Sequence, residues 1–311
     1  MSVNLEKQAI GDGSDPVDER ETRTLWGDAL RKFRKNHLAM AALAWILVVI
    51  LLALSADLWV PQTFGDPRVI NTDTVAVTRL QSPSSEHWFG TDDMGRDLLG
   101  RVIYGARVSL SVGFIAASVA FVIGVFLGAV AGYFGRWVDA IIMRFTDIVL
   151  AFPYILLAIL IMSLLPPEAR GVMSVIVVIS VFGWGSFSRI FRSSVLSIKE
   201  SDYVMAAKAL GASNWRIMFK HILPNAIAPA LAVATMTVGG AILTESALSF
   251  LGLGIQPPDI SWGRMIDDGR AFLTNEPQLV IFPGLAILTT VLAFMLLGDG
   301  VRDAIDTKSK D

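Results

Sequence analysis

The chain has 311 residues, 53% of them hydrophobic and 17% charged, with a mean hydropathy of +0.58. Soluble domains carry about a quarter charged residues, so an ordinary globular enzyme is excluded, and a net charge of −2 argues against nucleic acid as a partner. The absence of cysteine removes disulfides, thiolate metal sites and thiol catalysis, and His37, His87 and His221 are not in metal-ligand spacing.

Residues 1–22 are polar and acidic and predict a disordered cytoplasmic tail rather than a signal peptide. The first apolar run is then an uncleaved span. Over 23–37, Leu25, Trp26, Ala29, Leu30 and Phe33 share one helical face, with Arg31, Lys32, Arg34 and Lys35 around it. This pattern predicts an amphipathic helix on the inner membrane surface and is equally compatible with a plain basic flank. A helix of about 20 apolar residues crosses the hydrocarbon core. Six segments qualify: 38–59, 109–133, 137–165, 172–188, 226–244 and 279–297. Lipid requires every backbone polar group to be bonded internally, and runs this long without alternation are helices. The predicted fold class is an all-α integral membrane protein with six transmembrane helices.

Residues 60–108 predict an extracytoplasmic insertion, loop-like around Pro61, Gly65, Pro67 and Pro83, with 98–108 beginning the second helix. Residues 109–298 form a core of five spans that includes a cytoplasmic loop at 189–225, and 299–311 form a second cytoplasmic tail. Orientation follows from lysine and arginine: eighteen lie on the side of the N-terminus and eight on the other. Both termini are therefore expected in the cytoplasm. No internal repeat or inverted pairing of halves is visible, which counts against many secondary transporters.

Gly124, Gly128 and Gly132, with Gly113 earlier, place small residues on one face of the second span. They suit close approach of another helix, although glycine is also simply tolerated in membrane helices. Arg136–Asp139 and Arg144–Asp147 are i,i+3 pairs at the start of the third span. They read as a paired anchor at the interface, with a proton relay as the alternative. Glu245, at the end of the fifth span, should face protein or water. It either lines a pathway or gate, or caps the helical segment that follows. There is no G-x-x-x-x-G-K-[ST] phosphate loop and no Gly-Lys dipeptide anywhere. If ATP drives transport, another polypeptide binds it.

The polar stretch 202–225 is longer than a turn requires. Tyr203, Met205, Ala206 and Ala209 suggest a short helix, Gly211 suits a C′ position with positive φ, Ser213 can cap a second helix, and Pro224 is expected to end that helix. Small residues suit docking into another protein's groove; a surface hairpin on the inner leaflet is the other reading.

Here a resemblance becomes visible. Met205-Ala-Ala-x-x-x-Gly211 followed by Ile222-Leu-Pro224 resembles the cytoplasmic loop of ABC importer permeases, with Met205 standing where that pattern has glutamate. His87-Trp-Phe-Gly-Thr-Asp-Asp-Met-Gly-Arg-Asp97, Val102-Ile-Tyr-Gly-Ala-Arg107, Leu150-Ala-Phe-Pro153, Thr244-Glu-Ser-Ala-Leu-Ser-Phe-Leu-Gly-Leu-Gly254, Gln256-Pro-Pro258 and Ser261-Trp-Gly263 are similar to the C-type permease of dipeptide/oligopeptide importers. The resemblance covers about residues 20–306. It implies the type I ABC importer permease fold in the bacterial cytoplasmic membrane. It also implies a homologous second permease subunit, two cytoplasmic ABC ATPase subunits that bind ATP and magnesium, and an extracytoplasmic peptide-binding protein. No cofactor or catalytic residue is implied in this chain. The implied ATPase-coupling residues are Met205, Ala206, Ala207, Lys208, Gly211, Leu223 and Pro224. The implied cargo is a di- or oligopeptide, with a nickel chelate, glutathione or another small solute as alternatives. A proton-coupled secondary transporter using Asp147 or Glu245 is the rival of another class.

Overall fold

A computed structural model describes residues 25–69 and 75–305. The predicted disordered tail 1–22 and the last residues, 306–311, lie outside the described residues. Helix α1 (Leu25–Lys35) is separated from α2 (His37–Phe64) by Asn36, whose side chain accepts from the Ala39 amide at 3.1 Å and so satisfies one of the unpaired donors at the helix start. Helix α2 runs past Pro61, which has no amide hydrogen and so leaves the Asp57 carbonyl without its i+4 donor near the helix end. A single helical turn, α3 (Val75–Thr78), precedes α4 (Leu98–Phe134).

Asp97 caps α4 by accepting from the Gly100 amide at 2.8 Å. The 37 residues of α4 span about 55 Å at 1.5 Å per residue. That exceeds a hydrocarbon core of about 30 Å, so the turns before Ser109 project into the outer polar zone.

The third span differs from expectation. It is two helices, α5 (Arg136–Ala151) and α6 (Tyr154–Leu164), bent by 78°. Pro153 supplies the cause: it has no amide hydrogen and drives Phe152 out of the helical region, to φ −98 and ψ 138. Among the described residues, five helices are long and apolar enough to cross a membrane alone, and they become six if the bent pair is one span.

Helix α7 (Val172–Lys199) continues beyond the apolar stretch. It leads into α8 (Asp202–Ala209), the short α9 (Asn214–Arg216), a π-helical segment (Ile217–Ile222) and α10 (Leu223–Phe250). Helix α11 (Trp262–Gly269) and α12 (Gln278–Ile305) complete the order. The residues assigned to the second tail are thus helical from 299 as far as Ile305.

Pro224 does not end the helix, contrary to the sequence expectation; helical structure is continuous from Asn214 to Phe250. The wide π turn is the reason. The Leu223 amide reaches back five residues to the Met218 carbonyl, and the Asn225 side chain donates to the His221 carbonyl at 2.7 Å. The backbone around the proline is re-bonded rather than broken.

Helix α4 is the spine, and α7 is its main partner. A Cβ at Gly124 would meet the Trp184 carbonyl at 2.6 Å, and one at Gly132 would meet Val195 Cβ at 2.9 Å. The small-residue stripe therefore faces α7 and allows backbone contact, which drives helix association where lipid offers no hydrophobic gain. Gly113 faces α10 instead, with Ile242 Cγ1 at 2.6 Å from the place of its Cβ. Helix α1 packs beside the end of α12, where Gly300 admits Ala39 and Phe33. That contact brings the two ends of the described chain to one side.

Candidate functional site

The loop between α7 and α10 is built by local rules. Lys199 closes α7 by donating to the Tyr133 carbonyl at the end of α4, 2.5 Å away, where the carbonyl ends of a helix attract a cation. Helix α8 has one buried side chain, Val204. Gly211 ends it with φ +80, and the Ala212 amide reaches the Ala207 carbonyl at 3.1 Å to satisfy the last turn. Ser213 then caps α9 by accepting from the Arg216 amide at 3.3 Å.

Met205, Ala206, Lys208 and Gly211 are exposed, Ala207, Leu223 and the ring of His221 are half-buried, and Pro224 is exposed. Large apolar side chains also stand in the open: Leu210 is 89% and Trp215 69% exposed. A cluster of this kind on a short hairpin marks a contact surface. Beside it, Phe121, Val125, Tyr133, Trp215, Met218 and Phe219 line a cavity of about 590 Å³ between α4 and the π turn.

The charges of α5 are paired differently from the sequence expectation. Asp139 is held by Nε and Nη2 of Arg192, at 2.5 and 2.6 Å, and Asp147 by Arg189 at 2.7 Å. Both arginines belong to α7, so the pairs join two helices instead of neutralising one. Packing of α5 against α7 brings the longer arginine reach within bidentate geometry.

The outer end is organised around buried polar groups that sequence reasoning did not single out. Arg101 is buried on α4, pairs with Asp92 of the insertion, and donates to Asp268 of α11 at 3.1 Å. Asp92 also takes Arg96 at 2.7 Å, and His87 Nδ1 lies 2.9 Å from Asp97. The only signal in the sequence is spacing: Arg101, Gly105 and Ser109 recur every four residues and share one helical face. Gly105 takes the Trp262 side chain against its backbone, and the Trp262 indole donates to the Val102 carbonyl at 2.8 Å. Burial, followed by repulsion from Asp92, raises the Asp93 carboxyl above its ordinary range, whereas the Arg68 hydrogen bond lowers that of Asp66.

Glu245 is fully buried within α10, facing serines. Ser249 Oγ donates to it at 2.7 Å and Ser109 Oγ at 3.1 Å. Among the described residues, no group of His, Cys, Asp and Glu is arranged to hold a metal ion.

The chain is a helical bundle with five to six candidate membrane spans among the described residues and a long internal loop exposed at one end, the build of a multi-pass membrane component. The family model for binding-protein-dependent transport system inner membrane components matches residues 124–311, and that for the N-terminal transmembrane domain of oligopeptide transport permease C matches residues 24–83. The chain is 46% identical to the dipeptide transport system permease protein DppC of Alkalihalophilus pseudofirmus, over 95% of this chain and 94% of that one. It is 40% identical to the oligopeptide permease OppC of Bacillus subtilis, over 98% and 96%. With the glutathione permease GsiD of Pectobacterium atrosepticum it shares 39%, over 94% and 95%. A solved structure of the methionine ABC transporter MetNI in inward-facing conformations superimposes with TM-score 0.55 at 18% identity, covering 67% of this chain and 98% of that one, a likeness of fold. This chain belongs to the inner-membrane permease family of binding-protein-dependent ABC importers, in its dipeptide/oligopeptide branch.

Proposed function

We propose that the chain is one of two homologous permease subunits of an importer that carries di- or oligopeptides into the cell by alternating access. Two cytoplasmic ATPases hydrolyse ATP for it, and an extracytoplasmic binding protein delivers the cargo. The observation that carries this reading is the exposed hairpin α8–α9, which offers small residues and apolar side chains to the aqueous phase. Met205, Ala206, Ala207, Lys208 and Gly211 form the surface that seats in an ATPase cleft, and Leu223 and Pro224 join it to α10. Closure of the ATPases pulls the hairpin and, through the continuous helix from Asn214 to Phe250, moves the span. The ATPases must hold the two states with different affinity, because a ligand shifts a conformational equilibrium only by that difference.

Glutathione as cargo is the second reading, supported by the 39% identity to a permease of that name. Proton coupling is disfavoured by the pairing of Asp139 and Asp147 with arginines. Uptake into vesicles decides the class: it should need ATP and survive an uncoupler. Uptake lost to the uncoupler while ATP stays high would refute the importer. At the hairpin, Gly211→Pro, or Phe in place of Ala207, should abolish stimulation of the ATPases by loaded binding protein. Normal stimulation in both variants would refute the coupling role.

A further inference from the structure

The segment 251–269 leaves α10, turns back and packs α11 against α12 and α10 and, through Trp262, against the first turns of α4. Its backbone has no sheet or long helix to hold it, so its amides need side-chain acceptors. Two of them find serines. The Ile255 amide donates to Ser249 Oγ at 3.0 Å, and the Trp262 amide donates to Ser109 Oγ at 3.2 Å. Each hydroxyl oxygen is thereby engaged as an acceptor, and its own proton is left to give. Both protons go to Glu245, Ser249 to one oxygen and Ser109 to the other. Ser246 adds a longer contact at 3.4 Å, and the buried Ser261 hydroxyl, which also caps α11, lies against the same carboxylate.

Each serine hydroxyl that already takes a backbone amide has its own proton free for a Glu245 oxygen. The described ion pairs give it no cation. The packing is equally committed. A Cβ at Gly254 would strike Ser249, its backbone nitrogen only 2.6 Å away, and one at Gly263 would lie 2.5 Å from Ser246 Cα. The hairpin is seated on the serines that serve the carboxylate.

We infer that Glu245 is the positioning residue of the outer hairpin 251–269: its carboxylate orients the Ser109 and Ser249 hydroxyls so that they hold the hairpin backbone against α4 and α10. Removing the acceptor frees the hairpin at the extracytoplasmic end. Only the side of the membrane, and the effect on uptake, rest on the importer reading.

The chain has no cysteine, which allows a clean test. Ile260 is 6% exposed, and Asp259 beside it is exposed. Single-cysteine variants I260C and D259C, in the complete transporter in intact cells, are treated from outside with a membrane-impermeant maleimide. D259C should label readily in every background; if it does not, the topology is wrong and the hairpin claim is not what failed. With Glu245→Ala, labelling of I260C should rise about tenfold, the scale of losing a hydrogen bond to a charged group. Glu245→Gln keeps one acceptor oxygen and should give a smaller rise. Ser249→Ala, which removes the Ile255 link with its tie to Glu245 and leaves the Ser109–Trp262 link in place, should do likewise, and decides the matter if the alanine variant at 245 fails to co-purify with the ATPases. In uptake, the concentration of external substrate for half-maximal rate should rise, with the maximal rate little changed. Unchanged I260C labelling in an assembled Glu245 or Ser249 variant, equal effects of Gln and Ala at 245, or a loss confined to the maximal rate would each overturn the assignment.

Discussion

At the outer end of the bundle, Arg101, Asp92 and Glu245 are buried among hydrogen-bonding partners that come from α4, α10, α11 and the insertion. At the inner end, Met205, Leu210 and Trp215 face solvent, and the hairpin carrying them is anchored by Val204, Ile217 and Ile222. The outer end is a polar network in a dry setting, where each lost partner leaves a costly orphan. The inner end is held by caps worth about 1 kcal/mol each and by a few apolar contacts. The difference separates an end tied together by buried partners from many elements from an end whose apolar side chains are left exposed.

The largest effect should come from Arg101→Ala, which removes the buried cation tying Asp92 to Asp268 and leaves Asp92 with Arg96 alone. We expect a loss of about 3–5 kcal/mol, the scale of two charge-assisted hydrogen bonds at about 1.5–3 kcal/mol each, read as a fall in thermal unfolding midpoint of the purified protein. Arg216→Ala, at an exposed inner-end residue, should stay within about 0.5 kcal/mol. Equal losses would break the contrast. Gly128→Val tests how far rigidity extends along the α4–α7 seam. Its Cβ would lie 2.5 Å from the Ser188 carbonyl, so overpacking should cost about 1–3 kcal/mol by the same measurement.

Asp93 tests a strained corner of the outer end. Its carboxyl is raised in the folded state by burial and by Asp92, so folding favours the protonated form. The sign follows: this group's contribution is most favourable below the ordinary carboxylate range and is lost as pH rises through the raised folded value. Asp93→Asn should therefore be more stable than the parent at neutral pH, by less than the Arg101 loss, with the advantage vanishing in acid. A pH-independent difference would exclude titration as its source. The smallest effect is expected at the inner end. Met205→Glu restores the glutamate of the family pattern at an exposed position, where a charge contributes about 0–1 kcal/mol. ATPase stimulation should change less than about fivefold. A larger change would mean that charge, and not shape, governs that surface.

The helices of the bundle were legible because a membrane span announces itself by length and apolarity alone. The hairpin was legible for a similar reason: Gly211 and Ser213 act on their own backbone, within a few residues, and the structure places φ +80 and a cap where the spacing predicts them. Pro224 and Pro153 mark the limit of such local rules. The same residue type is absorbed by a π turn in one place and bends the chain by 78° in the other, because the re-bonding groups differ. The charges of α5 were misassigned for a related reason. Arg136 and Arg144 are near Asp139 and Asp147 in sequence, but α7 brings Arg192 and Arg189 closer in space.

The sequence by itself determined the class, the positions of the apolar spans and the family. Each of these is set by composition or by short-range pattern. Tertiary structure alone decided which helix meets the glycine stripe, which cation meets each carboxylate, and that Glu245 is enclosed by serines drawn from positions 109, 246, 249 and 261. A buried polar group is tolerated only when its partners arrive together, and Ser109 reaches Glu245 from 136 residues away in the chain.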